Sequence, residues 1–251
     1  MSKSEKYPYP RRRVIRALMH VLSIPAFKVL TQLDIKGKEN LPEKGPFLIV
    51  GNHFSFVDPA AIVRIAKWPI EFLGAADPPF APKKTKILPK LWGFHKLYRG
   101  TGSMEALRAG EAILRQKGIL GIFPEGGSWA QVLRPARPGT AYLAARTGAP
   151  ILPVGLYGMN DVFPYTLGQR AKIHINIGNP FGPYKITGRG RERREQLDEI
   201  GHEIMRRIAE LLPDKLRGFY ADDPETREAA KGTEIYPWAD RIEGEVEGEV
   251  R

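Results

Sequence analysis

The chain has 251 residues, and its 42% hydrophobic and 27% charged residues are typical of one folded domain with appendages. It contains no cysteine, which excludes disulfides, thiolate nucleophiles and cysteine-ligated metal sites. Residues 221–251 hold ten of the 28 acidic residues and four of the 39 basic ones, so residues 1–220 carry a net charge of +17. A body this basic attracts polyanions such as an anionic membrane, nucleic acid or phosphorylated substrates.

Residues 1–33 are predicted to form an N-terminal arm and interfacial helices. Residues 1–10 are polar and proline-rich, which indicates a loose arm. The basic run 11–13 precedes an apolar helical stretch over 14–30, which Pro25 is expected to divide into two short helices. An apolar face beside arginines is typical of a helix lying in a bilayer interface, although a helix packed on the protein core also fits. The stretch is too short and too charged to span a membrane.

Residues 34–220 are predicted to form an α/β domain in which helices flank a central mixed sheet, because strand and helix patterns alternate. The predicted strands cover 32–38, 46–50, 71–74, 119–123, 150–157 and 172–177. The predicted helices cover 58–66, 103–117, 139–147 and 189–212, with Asp58 as the cap of the first. Residues 77–97 are expected to form an irregular connection, and the acidic residues 221–251 a mostly disordered tail.

A histidine follows the buried strand over 46–50 directly, in the run from Asn52 to Pro59. Ligands of α/β proteins bind at the carboxyl ends of strands, so His53 lies where chemistry is expected. Asp58 follows five residues later, close enough for its carboxylate to reach the imidazole and stabilise the imidazolium form. Such a pair could deprotonate an alcohol. On its own the spacing also fits a helix cap beside an ordinary turn residue.

Two further segments carry polar groups suited to an anionic ligand. Glu125, Gly126 and Gly127 follow the strand over 119–123, and glycines let a backbone approach a ligand and present its N–H groups. Arg99 offers a guanidinium for a phosphate. Each pattern alone is also compatible with a plain turn or a surface arginine. A fourth segment, residues 148–155, predicts a buried strand entered through a tight turn.

In this order the four segments resemble the glycerolipid acyltransferase family, typified by the 1-acylglycerol-3-phosphate acyltransferases. The family's Asn-His-x4-Asp hallmark matches Asn52, His53 and Asp58, and the arginine of its second block matches Arg99. Its Phe-Pro-Glu-Gly block matches 123–126, and its Pro-Ile-x-Pro-Val block matches 150–154.

The resemblance implies a domain on one membrane leaflet that takes acyl-CoA or acyl-carrier protein as co-substrate, with no cofactor and no metal. His53 and Asp58 would form the catalytic dyad. The residues that would bind substrate are Asn52, Arg99, Glu125, Gly126 and Gly127. We expect transfer of a fatty acyl group to the hydroxyl of a lysophosphatidic acid-like acceptor in phospholipid synthesis.

The third block departs from the family pattern. Members that use glycerol-phosphate acceptors commonly continue as Gly-Thr-Arg-Ser, whereas this chain continues as Gly-Gly-Ser-Trp over 126–129. Either Arg137 or Arg134 in the following loop takes over phosphate binding, or the acceptor differs and Trp129 faces an apolar or glycosidic group. Glycerol 3-phosphate, a lysophospholipid or a glycolipid are the alternative acceptors.

Other classes are less well supported. A serine hydrolase would need Ser55 or Ser128 beside His53, but the nucleophile elbow of such enzymes is missing. The five histidines lack metal-type spacing, and no nucleic-acid motif accompanies the basic charge. A membrane-binding scaffold without turnover remains an alternative. We expect a peripheral or monotopic protein on the cytoplasmic face of the cell membrane, in contact with anionic lipid.

Overall fold

The structure, a computed structural model, describes residues 6–75, 87–97, 104–162, 168–235 and 237. The strands of this part are β1 Thr31–Lys36, β2 Phe47–Gly51, β3 Ile70–Ala75, β4 His95–Leu97, β5 Ile119–Ile122, β6 Ile151–Tyr157 and β7 Ala171–Ile177. The α-helices are α1 Arg13–Leu30, α2 Asp58–Ile65, α3 Ile87–Trp92, α4 Met104–Arg115, α5 Pro138–Thr147, α6 Gly190–Ala209 and α7 Pro224–Ala230.

The strands form one mixed sheet in the order β1-β7-β6-β2-β5-β3-β4, which confirms the predicted fold class. Strands β4, β3, β5, β2 and β6 run parallel to one another. Strand β7 runs antiparallel to β6, and β1 lies parallel to β7 at the edge. The carboxyl ends of five parallel strands therefore meet along one border, which is where such sheets bind ligands.

Two apolar layers enclose the central strand β2, whose five residues are all buried. Its side chains alternate, as the twofold period of a strand requires. Leu48 and Val50 join the core beneath α4, α5 and α6, whereas Phe47 and Ile49 join the core that includes residues of α1 and α2. The site at the end of β2 thus stands on a strand that is packed on both faces.

The N-terminal region differs from its prediction in its helix, its arm and the start of its first strand. One helix, α1, runs through Pro25, which lies on its exposed side, so the carbonyl that loses a helical partner there is not buried. The expected loose arm over 1–10 is fastened in its described part, since Tyr7 is buried and packs with the core residues of α4. Strand β1 begins at Thr31, ahead of the predicted domain boundary at residue 34.

Three arginines at the N-terminal end of α1 and just before it contact the domain. The Glu71 carboxylate on β3 accepts hydrogen bonds from Arg16 at 2.5 and 2.8 Å and from the Arg11 side chain at 2.6 and 3.1 Å. Glu71 is fully buried, which by itself raises its pKa, but the hydrogen bonds and charges of Arg16 and Arg11 together outweigh burial and lower the pKa. Arg12 donates to the backbone oxygens of Lys90 and Leu91 at 2.7 and 2.9 Å. These contacts fix α1 on the sheet edge.

Two segments predicted to be irregular contain regular structure. The described part of 77–97 includes α3 and β4, which extends the parallel sheet beyond β3. The predicted disordered tail begins with α7, where the Asp223 side chain caps the helix by accepting from Thr226 N at 2.8 Å. Ala221 and Ala230 are buried, so apolar contacts hold this part of the tail despite its charge. The described helices include none that is long and apolar enough to cross a membrane.

Candidate active site

The turn after β2 begins with a side chain that ties two strands together. The Asn52 amide donates to the backbone oxygen of Leu156 at 2.7 Å and accepts from the backbone nitrogen of the same residue at 2.7 Å. Asn52 is completely buried. Because its amide is paired in both directions with β6, Asn52 locks the carboxyl end of β2 to its neighbour rather than facing a cavity.

His53 and Asp58 form a hydrogen-bonded pair at this strand end. His53 Nδ1 lies 3.0 Å from Asp58 Oδ2, and the His53 side chain keeps 17% of its surface exposed. The imidazole stacks on the Phe123 ring with centroids 4.3 Å apart. Within the described residues, Nε2 of His53 takes part in no hydrogen bond, so this nitrogen can accept a proton from a ligand. The arrangement matches a general base held by a carboxylate.

Asp58 is held by the turn that precedes its helix. Its Oδ2 atom accepts from the backbone nitrogens of Phe54 and Ser55 at 2.8 and 2.7 Å, in addition to the imidazole. The helix cap lies at Val57 and Asp58 is the first helical residue, so the capping role expected for Asp58 is wrong. Burial raises the pKa of Asp58, against the lowering by His53 and by the two backbone N–H groups.

Glu125 brings the third sequence block into contact with the first. The backbone nitrogen of His53 donates to Glu125 Oε1 at 2.7 Å. The other oxygen, Oε2, accepts from the side chain Nε of Arg134 at 2.9 Å and from its backbone nitrogen at 3.3 Å. Both side chains are buried. Burial raises the pKa of Glu125 to about 7, against the opposing effect of the Arg134 guanidinium and the two N–H donors.

The glycines of this block shape the turn around that carboxylate. Gly126 has φ +78°, a value that L side chains rarely adopt, and its nitrogen donates to the backbone oxygen of Phe123 at 3.1 Å. The backbone oxygen of Gly127 accepts from Arg134 Nη2. The Arg134 guanidinium also lies 3.9 Å from the centre of the Trp129 ring. Arg134 is therefore a buried structural neighbour of the block, not an exposed cation.

A cavity of about 160 Å³ adjoins these residues. Arg137 is exposed at this cavity, and its Nη2 lies 3.5 Å from the backbone oxygen of Glu234. The Trp129 indole donates to the backbone oxygen of Thr233 at 2.7 Å, so the C-terminal segment forms part of the wall. The lining residues are Glu125, Trp129, Arg134, Pro135, Ala136, Arg137 and Glu234.

The structure brings most of the predicted site residues together. Asn52, His53, Glu125, Gly126, Gly127 and Arg137 belong to the β2 and β5 strand ends or the loop that follows β5, and Asp58 begins α2. Arg99 lies outside the described residues. Phe123, which supports the imidazole, had no assigned role in the sequence analysis, although its place one residue after β5 offered a signal. Among the described residues, His, Asp and Glu form no group of three that could hold a metal.

Comparison with known proteins agrees with this geometry. Residues 32–157, half of the chain, match the acyltransferase family. A 1-acyl-sn-glycerol-3-phosphate acyltransferase from Borreliella burgdorferi is 28% identical over 156 residues, which cover 58% of this chain and 60% of that protein. The crystal structure of PlsC, the 1-acyl-sn-glycerophosphate (LPA) acyltransferase from Thermotoga maritima, aligns with a TM-score of 0.54 and 21% identity over 83% of this chain and 87% of that one.

A mixed α/β sheet that carries a histidine–aspartate pair at the end of its central strand defines an acyltransferase domain. This chain belongs to the acyltransferase family, as its resemblance to the family's four sequence blocks predicts. It spans about 60% of the length of the Borreliella relative. At 21% identity, the likeness to the Thermotoga structure shows a shared fold and nothing more.

Proposed function

We propose that this protein transfers a fatty acyl group from a thioester donor, acyl-CoA or acyl-carrier protein, to the hydroxyl of a lysophosphatidic acid-like acceptor in phospholipid synthesis. The observation that carries the proposal is the 3.0 Å contact between His53 Nδ1 and Asp58 Oδ2 at the carboxyl end of β2. The Borreliella and Thermotoga proteins are both named as 1-acylglycerophosphate acyltransferases, which supports this choice of acceptor.

The pair supplies the proton transfers that the reaction needs. His53 Nε2 takes the proton from the acceptor hydroxyl while the hydroxyl oxygen attacks the thioester carbonyl carbon. Asp58 stabilises the imidazolium that forms and keeps the ring in the tautomer with its proton on Nδ1. The tetrahedral intermediate then collapses, the carbon–sulfur bond breaks, and the imidazolium returns its proton to the leaving thiolate. General-base assistance of this kind contributes about 10²- to 10⁴-fold in rate.

Arg137 is the residue we assign to the acceptor's phosphate. It follows Glu125 in the same loop, its guanidinium is exposed, and it borders the cavity beside the Glu125–Arg134 pair. A guanidinium of this kind can bind a phosphate through two parallel N–H donors. Arg134 is unsuited to that role because its side chain is buried on Glu125 and Gly127. Arg99 remains a second proposed phosphate contact.

The exposed side of α1 is the surface we assign to a membrane. Its apolar residues remain in solvent although the rest of the helix packs on the domain, and exposed Ile87 and Leu91 extend the apolar surface onto α3, which contacts α1. An amphipathic helix of this type lies in the plane of a bilayer interface. The net charge of +17 over 1–220 favours an anionic surface, consistent with a peripheral or monotopic protein at the cytoplasmic face. The exposed α1 residues are Val14, Ile15, Leu18, Val21, Leu22, Ile24 and Val29.

The test of the function is acyl transfer to a panel of lipid acceptors from one acyl-CoA, followed by mass spectrometry and by release of free thiol. We expect lysophosphatidic acid to be acylated by the wild type and His53→Ala to lose transfer while remaining folded. Asp58→Asn should reduce kcat by roughly 10²- to 10⁴-fold. A His53→Ala protein with ordinary kinetics would remove the assignment, and acylation of a different acceptor would revise the substrate.

A further inference from the structure

We propose that Arg134 is a positioning residue, which acts through Glu125 to hold the backbone at His53 and so aims the imidazole at the reacting hydroxyl. The proposal rests on the function proposed above. It assigns a role to Arg134, which lies outside the four family blocks. It also makes Glu125 a residue that supports the backbone at His53.

Three successive backbone N–H groups of the catalytic turn are held by two buried carboxylates. Glu125 Oε1 accepts from the N–H of His53, whereas Asp58 Oδ2 accepts from those of Phe54 and Ser55, at 2.7, 2.8 and 2.7 Å respectively. The Asp58 contacts are local, since the partners are at most four positions apart in the chain. The Glu125 contact crosses from β2 to the loop after β5, so it sets where the turn stands relative to the rest of the site.

Arg134 in turn favours the ionised form of Glu125 and holds its carboxylate in position. Its Nε donates to Oε2 of Glu125 at 2.9 Å, while Nη2 donates to the backbone oxygen of Gly127 and the guanidinium lies on the Trp129 ring. Burial favours the neutral form of Glu125, and the Arg134 charge opposes this effect. An ionised carboxylate accepts a shorter and stronger hydrogen bond from an amide than a neutral acid does. Arg134 therefore maintains the stronger hold on His53.

Several other polar groups face the same carboxylate and enter the expected pH dependence. The imidazole of His53 belongs to the same residue as the backbone N–H group that donates to Glu125. Arg137 and Glu234 line the cavity that Glu125 and Arg134 share. Tyr220 lies near enough for the Glu125 charge to contribute to its raised pKa. Each of these groups is retained in the variants chosen below, so a change in pH dependence reports on the Glu125–Arg134 pair.

The decisive experiment measures kcat and acceptor KM between pH 6 and 9.5 for the wild type and for Arg134→Met, with one acyl-CoA and lysophosphatidic acid. Burial already raises the pKa of Glu125 to about 7, and removing the guanidinium raises it further. The carboxyl is therefore partly ionised at pH 7 in the wild type, neutral at pH 7 in Arg134→Met, and ionised in that variant only at higher pH. We expect kcat of Arg134→Met to fall about tenfold at pH 7 and to recover toward pH 9, with KM nearly unchanged.

Companion variants keep the test valid if Arg134→Met folds poorly. Arg134→Lys retains the charge and should restore most of the wild-type pH profile. In the double variant Glu125→Gln/Arg134→Met the amide oxygen still accepts from the backbone N–H of His53, but no carboxyl remains at position 125, so the midpoint assigned to Glu125 should disappear from the profile. Arg16→Met breaks a second buried arginine–glutamate contact, with Glu71, and should lower stability without adding a new pH midpoint.

A rise in acceptor KM with unchanged kcat and pH profile would overturn the proposal, because Glu125 and Arg134 would then bind the acceptor directly. An Arg134→Met enzyme with wild-type kcat throughout would overturn it as well. Both results require an active, His53-dependent wild type. A wild type that transfers no acyl group, or a His53→Ala variant that still does, instead contradicts the proposed function. The backbone ¹⁵N–¹H resonance of His53 gives a readout without substrate, and we expect it to move upfield in Arg134→Met.

Discussion

Asn52 illustrates how a residue in a family hallmark can serve the scaffold. Its amide donates to and accepts from the backbone of Leu156, 104 residues away, and it is fully buried. The resemblance to the family implies that Asn52 binds substrate. In the structure its hydrogen bonds instead keep the ends of β2 and β6 in register. The placement of His53, the next residue, depends on that register.

Replacing Asn52 with alanine should therefore destabilise the protein. The change leaves two buried backbone groups of Leu156 without partners, at a cost of about 2 to 4 kcal/mol in the free energy of unfolding. Urea denaturation measures that loss, and acceptor KM of the remaining folded enzyme should stay within about twofold of the wild type. Ser23→Ala, a hydroxyl-to-methyl change on α1 away from the sheet, is the control for a general effect of substitution. A large rise in KM with unaltered stability would instead favour a substrate contact.

At the scale of elements, α1 has two chemically different sides. Its inner side inserts Arg16 into a buried contact with Glu71, and its outer side exposes apolar residues. The arginines that suggested attraction to anionic lipid are thus partly used within the domain. We infer that membrane binding by α1 depends chiefly on apolar burial and less on these charges.

The double variant Leu18→Glu/Leu22→Glu tests this inference. Both side chains are more than half exposed, at 57% and 56%, so the fold should be retained. Losing two leucines from the bilayer interface should weaken binding to vesicles with anionic lipid by roughly hundredfold or more. Arg193→Gln/Arg194→Gln changes the net charge by the same amount on the exposed side of α6, and we expect a smaller effect. Cosedimentation measures both, and equal losses would favour charge over apolar burial.

At the scale of the whole molecule, the C-terminal segment closes back on the site. The backbone nitrogen of Phe219, just ahead of the acidic residues 221–251, donates to the backbone oxygen of Leu133 at 3.2 Å. Within the acidic segment, the backbone oxygen of Thr233 accepts from the indole of Trp129. The segment expected to be mostly disordered therefore contacts the loop that follows β5. Its first part is tied to the domain through contacts that its composition does not indicate.

Two truncations separate the packed part of this segment from the remainder. A chain that ends at residue 235 retains α7 and Thr233, and it should melt at the temperature of the full chain. A chain that ends at residue 223 loses α7 and the Trp129 contact, and we expect it to lose about 1 to 3 kcal/mol of stability. Differential scanning calorimetry measures the two differences. Identical melting of all three proteins would mean that residues 224–235 contribute nothing to the fold.

Short-range patterns in the sequence determined the class of fold and the pairing of His53 with Asp58. Strand and helix periodicities over a few residues predicted an α/β sheet, and the five-residue separation of His53 and Asp58 is short enough for local chain geometry to bring them together. The four ordered blocks determined the family in the same way. None of these inferences depends on which distant segments of the chain come into contact.

Tertiary structure alone decided the contacts between residues far apart in the chain. The bonds from Asn52 to Leu156, from Arg16 to Glu71 and from Trp129 to Thr233 join residues separated by 104, 55 and 104 positions. A buried polar group must find a partner, but composition and periodicity do not say which one, because the choice depends on how strands and helices pack. For the same reason the sequence located the turn that carries His53, while the fold determined what holds that turn in place.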